Sequence, residues 1–189
     1  PGKKVAEKSL YFYNDLKSKK RSLVKKENYH PSPAEKSKLD RDEYIELIYD
    51  DNGKLSKESF FFFNRLKSYK LYHYNSNNLQ VKIELYDNND KLNNYLVFKY
   101  NDKNILIEIS EFKVDEKGIS VHISKKLFTR DLELNIVKAT EYEKNSNNLE
   151  KISERNYFYD NKGCHIYTKI FDGKGNFIDS TNKYINPLR

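Results

Sequence analysis

The sequence predicts an all-β fold: an antiparallel meander of repeated hairpins, with roughly ten to fourteen strands and a short helical insertion near residues 33–40. Three observations predict it. A phrase recurs, built as an aromatic, a polar turn and usually an apolar residue. Tyr49 to Leu55 reads YDDNGKL, Tyr86 to Leu92 reads YDNNDKL, Tyr159 to Cys164 reads YDNKGC, and Phe171 to Phe177 reads FDGKGNF. Between the phrases, apolar and polar residues alternate with period two. The turns are rich in Asn, Asp and Gly, which tolerate the positive φ that tight hairpins require.

The array begins early. Ser9 to Lys20 (SLYFYNDLKSKK) and Ser59 to Lys70 (SFFFFNRLKSYK) share seven of twelve positions. Residues 9–20 therefore read as strand–turn–strand, with a basic helix as the competing reading, since Val5, Leu10, Tyr13, Leu16 and Leu23 fall on a loose helical stripe. Residues 19–42 lack alternation and carry Pro31 and Pro33. Ser32-Pro33-Ala34-Glu35 has the capping-box form with Pro at the first helical position, which predicts a helix from about Pro33 to Asp40. Residues 1–42 are thus a basic hairpin plus a helical insertion, and 43–189 the hairpin array, as one continuous domain.

Within the array Phe60 to Phe63 is apolar on both faces, which predicts a covered central strand or an exposed sticky patch. Val81, Ile83 and Leu85 face one way, and Lys82 and Glu84 the other. Ile105, Ile107 and Ile109 share a face opposite Glu108 and Ser110. Asn52-Gly53, Lys117-Gly118 and Lys162-Gly163 are the expected glycine turns. Asn75 to Asn78 and Asn145 to Asn148 are expected to place Asn in the left-handed region. One apolar face implies that the sheet covers it, as a curved sheet, a sandwich or an open barrel.

Composition narrows the class. The chain has 189 residues, 37% apolar and 14% aromatic, with 16 Tyr and 11 Phe. Aromatics at that density bury area while keeping polar tips at the surface, and they set the chain apart from disordered sequences. No apolar run is long enough for a transmembrane helix. The net charge of +7 permits contact with nucleic acid, anionic lipid or an acidic protein. The excess is concentrated near the N-terminus, at Lys17, Lys19, Lys20, Arg21, Lys25 and Lys26. A single cysteine, Cys164, excludes an intrachain disulfide.

The repeated phrases resemble the YD repeats of RHS-type proteins and the related short repeats of YwqK-type antitoxin proteins. The matching stretches are Tyr49 to Leu55, Tyr86 to Leu92, Tyr159 to Gly163 and Phe171 to Phe177, and the likeness extends loosely over 43–184. Asp90 and Asn104 stand where those repeats carry a regular glycine. The resemblance implies an antiparallel hairpin array in a bacterial protein. It transfers no catalytic residue, because the repeat has none.

Chemistry-bearing motifs are sparse. His30, His73, His122 and His165 lack metal-helix spacing, and HExxH, CxxC, phosphate-loop and nucleophile-elbow motifs are missing. Cys164 and His165 are strand neighbours, which point to opposite faces and so form no nucleophile–base pair. His73 and His122 with Glu84 or Glu108 are the residues from which an acid/base cluster would be assembled. Asp-rich turns read as turn formers before calcium ligands. The expectation is therefore a non-enzyme with no cofactor and no metal. It recognises a protein partner through Tyr69, Tyr72 and Tyr74, in the bacterial envelope or outside the cell. The alternatives are an antitoxin or immunity-type protein, or a nucleic-acid binder using the basic segment and stacking tyrosines.

Overall fold

In a computed structural model the described residues are 8–13, 23–31 and 39–182, with side-chain surroundings from 43 to 181. Every described element is a strand. The strands are β1 (Lys8–Tyr13), β2 (Leu23–Pro31), β3 (Leu39–Tyr49), β4 (Leu55–Phe62), β5 (Arg65–Tyr74), β6 (Gln80–Asp87), β7 (Leu92–Tyr100), β8 (Leu106–Val114), β9 (Ser120–Arg130), β10 (Ile136–Asn145), β11 (Asn148–Tyr159), β12 (His165–Asp172) and β13 (Phe177–Asn182). Their order in the sheet is their order in the chain, with β1 and β13 at the two ends. The all-β meander is the fold the sequence predicts. The chain divides into two compact units, Pro1–Asn94 and Tyr95–Arg189.

β1 pairs antiparallel with β2, with Leu10 opposite Glu27. This partner strand lies beyond the residues 9–20 read as strand–turn–strand, within the 19–42 stretch read as lacking alternation, and residues 14–20 fall outside those described. The expected helix near 33–40 falls mostly on residues outside those described. Its last two positions, Leu39 and Asp40, are strand and pair with Pro31 and His30. The capping-box signal at Ser32 therefore does not carry a helix to Asp40, because ladder pairing with β2 takes those two residues.

Eight connections share one loop geometry, and it explains the recurring phrase. In the 50–54 loop the Asp50 amide donates to the Lys54 carbonyl at 2.8 Å and Gly53 donates back to the Asp50 carbonyl at 2.9 Å. The Asp50 carboxylate accepts from the amides of Asn52 at 3.0 Å and Lys54 at 2.8 Å. This is a type I turn closed by a left-handed residue, a three-residue hairpin loop with its bulge. The same first-residue side-chain bond to the fifth amide recurs at Asn75, Asp87, Asn101, Asp115, Asp131, Asp160 and Asp172. The fourth residue has positive φ in all eight: Gly53, Asn78, Asp90, Asn104, Gly118, Leu134, Gly163 and Gly175. Asp90 and Asn104 thus do the work of the missing glycines, both at φ 60°.

The carboxylate replaces a turn of backbone pairing, so its removal strands two amides. Asp160→Ala is expected to cost about 1–2 kcal/mol of stability, for two bonds of roughly 1 kcal/mol each. A thermal denaturation midpoint equal to that of the wild type would show the cap to be dispensable.

Among the described residues two connections depart from this pattern. Phe63 and Asn64 form a two-residue turn with φ 46° and 60°, so β4 ends at Phe62 and Phe63 is a turn residue. In the β10–β11 turn the left-handed residue is Ser146, at φ 53°, and not an asparagine as expected.

The expected cover over the apolar face is the clearest difference. Among described side chains only Tyr44, Tyr69, Ala139, Ser59, Ser110, Thr140 and Thr168 are buried, and no large side chain is fully buried. Strands within each unit touch their sheet neighbours, and β9 also approaches β11 across β10. Stability in each unit therefore resides in the ladder and in cross-strand pairs on half-exposed faces. Tyr44 stacks on Phe61 at 4.5 Å, Tyr69 on Tyr86 at 4.9 Å, and Phe158 on Tyr167 at 4.4 Å.

Candidate binding surfaces

Direct ladder partners share a face, so register assigns every side chain a side. In the N-terminal unit, Glu46, Ser59, Tyr69 and Tyr86 lie in one cross-strand row. Leu47, Glu58, Lys70 and Leu85 form the row on the opposite face, with Tyr72 beside Ile83. The three tyrosines singled out in the sequence are therefore not one cluster. Tyr72 shares a face with Lys70 and Glu58, and Tyr69 shares the other with His73 and Glu84. An odd separation in a strand guarantees that split, and Tyr69 and Tyr72 are three apart.

Tyr69 is structural in its surroundings. It is 9% exposed, and its hydroxyl donates to Asp90 at 2.9 Å. Burial, reinforced by that bond, pushes its pKa to about 12. Lys57 sits 4.2 Å above its ring centroid. On the opposite face the Tyr72 hydroxyl donates to Glu58 at 2.6 Å, and Lys70 pairs with the same carboxylate at 3.2 Å. Burial and the Glu58 bond raise the Tyr72 pKa. Tyr74 donates to the Leu55 carbonyl at 3.0 Å. These phenols stay protonated at neutral pH and serve as donors, with the rings of Tyr72 and Tyr74 half-exposed.

Of the basic residues, Lys17, Lys19, Lys20 and Arg21 lie outside the described residues. Lys25 and Lys26 belong to β2, opposite Glu46 and Ile45 of β3. His73 bonds Glu84 at 2.8 Å, and Lys82 meets the same carboxylate at 2.7 Å. Partial burial opposes ionisation of Glu84, but its bonds to Lys82 and His73 outweigh it and hold the pKa low. His122 stacks on Phe112 at 4.5 Å, with its Nε2 buried and unpartnered. Cys164 is the exposed fifth residue of a hairpin loop, and His165 contacts Thr168 at 2.8 Å. In the Asp-rich turns, one carboxylate oxygen each of Asp50 and Asp87 accepts from two amides of its own loop.

The C-terminal unit carries two ionic belts. On one face Glu141 accepts from Lys126 at 2.6 Å, Arg155 at 2.8 Å and Ser153 at 2.8 Å. On the other, Glu154 meets Lys138 at 2.9 Å and Lys151 at 2.8 Å, and Glu108 meets Lys99 at 2.8 Å.

A surface that the sequence reading missed lies at the 131–135 loop, Asp-Leu-Glu-Leu-Asn. Its signal becomes visible once Asp131 is aligned with the other loop-opening Asp and Asn residues. The other seven loops place polar residues or glycine at the two tip positions, whereas this one begins its tip with Leu132, which is 96% exposed. Leu134 occupies the left-handed position at φ 69° and is 51% exposed. Asn135 Nδ2 donates to Asp131 at 3.0 Å, as Asn176 does to Asp172 at 2.9 Å in the 172–176 loop, and Arg130 Nη1 donates to the Leu134 carbonyl at 2.6 Å. A groove of 370 Å³ lies on one side, lined by Lys103, Ile105, Ile107, Phe128 and Arg130 among others. A second groove, of 410 Å³, lies on the other side against Val137, Tyr157 and Tyr159. A branched residue in the left-handed region is strained. Leu134→Asn is accordingly expected to raise stability, by up to about 1 kcal/mol, in a denaturant titration.

No protein-family model and no curated protein matches the chain. Among solved structures, the Tc holotoxin pore of Photorhabdus luminescens is similar at 14% identity and TM-score 0.47, over 92% of this chain. The chain spans only 9% of the length of that toxin chain. A porin-like protein from Bacteroides uniformis is similar at 12% identity and TM-score 0.42, over 92% of this chain and 88% of its own. A Bacteroides fragilis protein of unknown function is similar at 15% identity and TM-score 0.35, over 77% of this chain and 91% of its own. Among the described residues no helix is long and apolar enough to cross a membrane.

Proposed function

We propose that the chain is a non-catalytic β-hairpin repeat module that recognises another protein through an aromatic sheet face, in the bacterial envelope or outside the cell. The observation that carries this reading is the half-exposed face of the N-terminal unit bearing Tyr72, Tyr74, Phe60, Ile83 and Leu85. No described residue of its own unit covers it. The Tyr72 and Tyr74 hydroxyls are already held by Glu58 and the Leu55 carbonyl, so both rings are pre-positioned. Rigid aromatic rings anchor interfaces because little side-chain entropy remains to be lost on binding.

The test is affinity capture from the native organism's lysate and envelope fractions, at low and high salt, with and without nuclease. The bait is the wild type or a Tyr72→Ser/Tyr74→Ser double variant whose circular dichroism is unchanged. A protein retained at high salt by the wild type and lost by the variant is the expected result. Recovery of nucleic acid alone, released by salt, overturns the reading, and equal retention by both baits removes this face from it.

A further inference from the structure

We propose that one face of the C-terminal unit docks an acidic segment of another protein, through lysines that strand parity gathers on that face. This surface lies in the other unit from the aromatic face and works by charge. It stands whether or not the aromatic face binds.

Register places the charges. Glu108, Leu127, Thr140, Glu154 and Phe171 form one cross-strand row. The neighbouring rows on the same face are Ser110, Lys125, Tyr142 and Lys151, and Thr129, Lys138, Asn156, Lys169 and Ser180. Lys144 follows Tyr142 by two residues on β10, and Lys99 reaches the face at Glu108. Among the described strand residues of this face, Lys99, Lys125, Lys138, Lys144, Lys151 and Lys169 therefore stand against only Glu108 and Glu154. The opposite face, where Glu111, Glu141 and Glu143 sit beside Lys126 and Arg155, has no such excess.

The excess is open to a partner. Glu154 takes Lys138 and Lys151, and Glu108 takes Lys99. Lys125 and Lys169 have no carboxylate within ion-pair distance among the described residues, and lie over the rings of Tyr142 and Phe158. An ammonium over a ring keeps its full charge. Lys99, Lys144 and Lys169 are exposed, and the other three are half-buried. Tyr142 separates Lys125 from Lys151, and Asn156 separates Lys138 from Lys169. Each such pair spans two strand spacings, about 10 Å, enough to limit repulsion and to meet separate carboxylates. A one-sided surplus of like charge adds nothing to packing, but it steers encounter with an oppositely charged surface.

The same face favours protein carboxylates over other anions. The rings of Tyr142 and Phe158 lie under lysines, and Phe158 is also stacked on Tyr167, so neither offers an open ring to a base. Glu108 and Glu154 lie within the lysine field. A phosphodiester chain or an anionic lipid surface would press continuous charge onto them, whereas a protein with spaced acids leaves them uncovered.

Fluorescence anisotropy of a labelled oligoglutamate peptide reads the binding to the full chain at low salt, with an oligothymidine of equal charge and phosphatidylglycerol vesicles as competing anions. Lys125→Glu/Lys169→Glu orphans no carboxylate and is expected to raise the oligoglutamate Kd at least about tenfold. Lys125→Gln/Lys169→Gln is expected to give a smaller loss, and replaces the charge reversal if that pair alters the circular dichroism spectrum. Lys113→Glu/Lys174→Glu makes the same change in net charge, with Lys113 on the opposite face and Lys174 in a loop, and is expected to leave the Kd within about threefold. A wild type that does not bind oligoglutamate overturns the proposal. So does a control pair that loses as much as the Lys125/Lys169 pair, or a loss for oligothymidine or vesicles that equals or exceeds the loss for oligoglutamate.

Discussion

Replacing Gly173 with Ala is expected to destabilise the C-terminal unit by about 2–3 kcal/mol, the range for forcing atoms into occupied space. A Cβ at Gly173 would lie 2.0 Å from the Lys151 carbonyl oxygen and 2.9 Å from its carbon. Both are backbone atoms, so no rotamer change relieves the clash. Lys151 and Ile152 sit where the β10–β11 ladder is irregular, with Tyr142 opposite Lys151 and Glu141 opposite Ser153. The 172–176 loop rests on that irregularity. The useful control is Gly175→Ala in the same loop. Gly175 has φ 88° and open space around it, so alanine there costs only about 1 kcal/mol of backbone strain. Chemical denaturation of both variants checks the prediction. Equal losses would mean that the approach of Lys151 carries no weight.

Gly173 also marks where the sequence stops being legible. The equivalent tip positions in other loops hold Asp51, Ser76, Asn88, Asp102, Glu116, Leu132 and Asn161. The loop itself therefore tolerates a side chain, and the glycine answers to a neighbouring strand's backbone. A local reading of FDGKGNF finds the hairpin and cannot find that contact. The phrases Tyr49 to Leu55 and Tyr159 to Cys164 were readable for the opposite reason. Asp50 and Asp160 bond amides two and four residues ahead, so their requirement is written within five residues. Alternation likewise placed Val81, Ile83 and Leu85 against Lys82 and Glu84 without tertiary knowledge.

The candidate surface was less legible. Tyr69, Tyr72 and Tyr74 attract notice by proximity in sequence, but strand parity separates Tyr69 from Tyr72 and Tyr74. Leu132 and Leu134 look like ordinary apolar strand residues until Asp131 is recognised as a loop opener. The basic cluster from Lys17 to Lys26 depends on residues mostly outside those described.

Glu141→Gln is expected to reduce stability on the order of 1–2 kcal/mol at pH 7, and to flatten part of the acid limb of the pH profile. Partial burial pushes the Glu141 pKa up, but bonds from Lys126 and Ser153 and the nearby charges of Lys126 and Arg155 pull harder, leaving it at about 2. The carboxylate is 24% exposed, and its cationic partners are about a third exposed, so solvent screening takes a large share of the nominal shift. The sign follows from proton uptake. Between the ordinary carboxylate pKa of 4.5 and the folded value of about 2, the unfolded chain binds the proton and the folded chain does not. The contribution is therefore fully present above 4.5 and is lost as pH falls toward 2. The gap between wild type and Glu141→Gln should be widest at neutral pH and close in acid. Glu108 and Glu154, also held low, share the same direction and steepen acid unfolding of the unit. Glu143→Gln, at an exposed side chain on the same strand, should change stability by less than about 0.5 kcal/mol. A gap for Glu141→Gln that stays constant from neutral pH into acid would mean that the glutamine disturbs packing and that the Lys126–Glu141–Arg155 belt contributes no ionic stability.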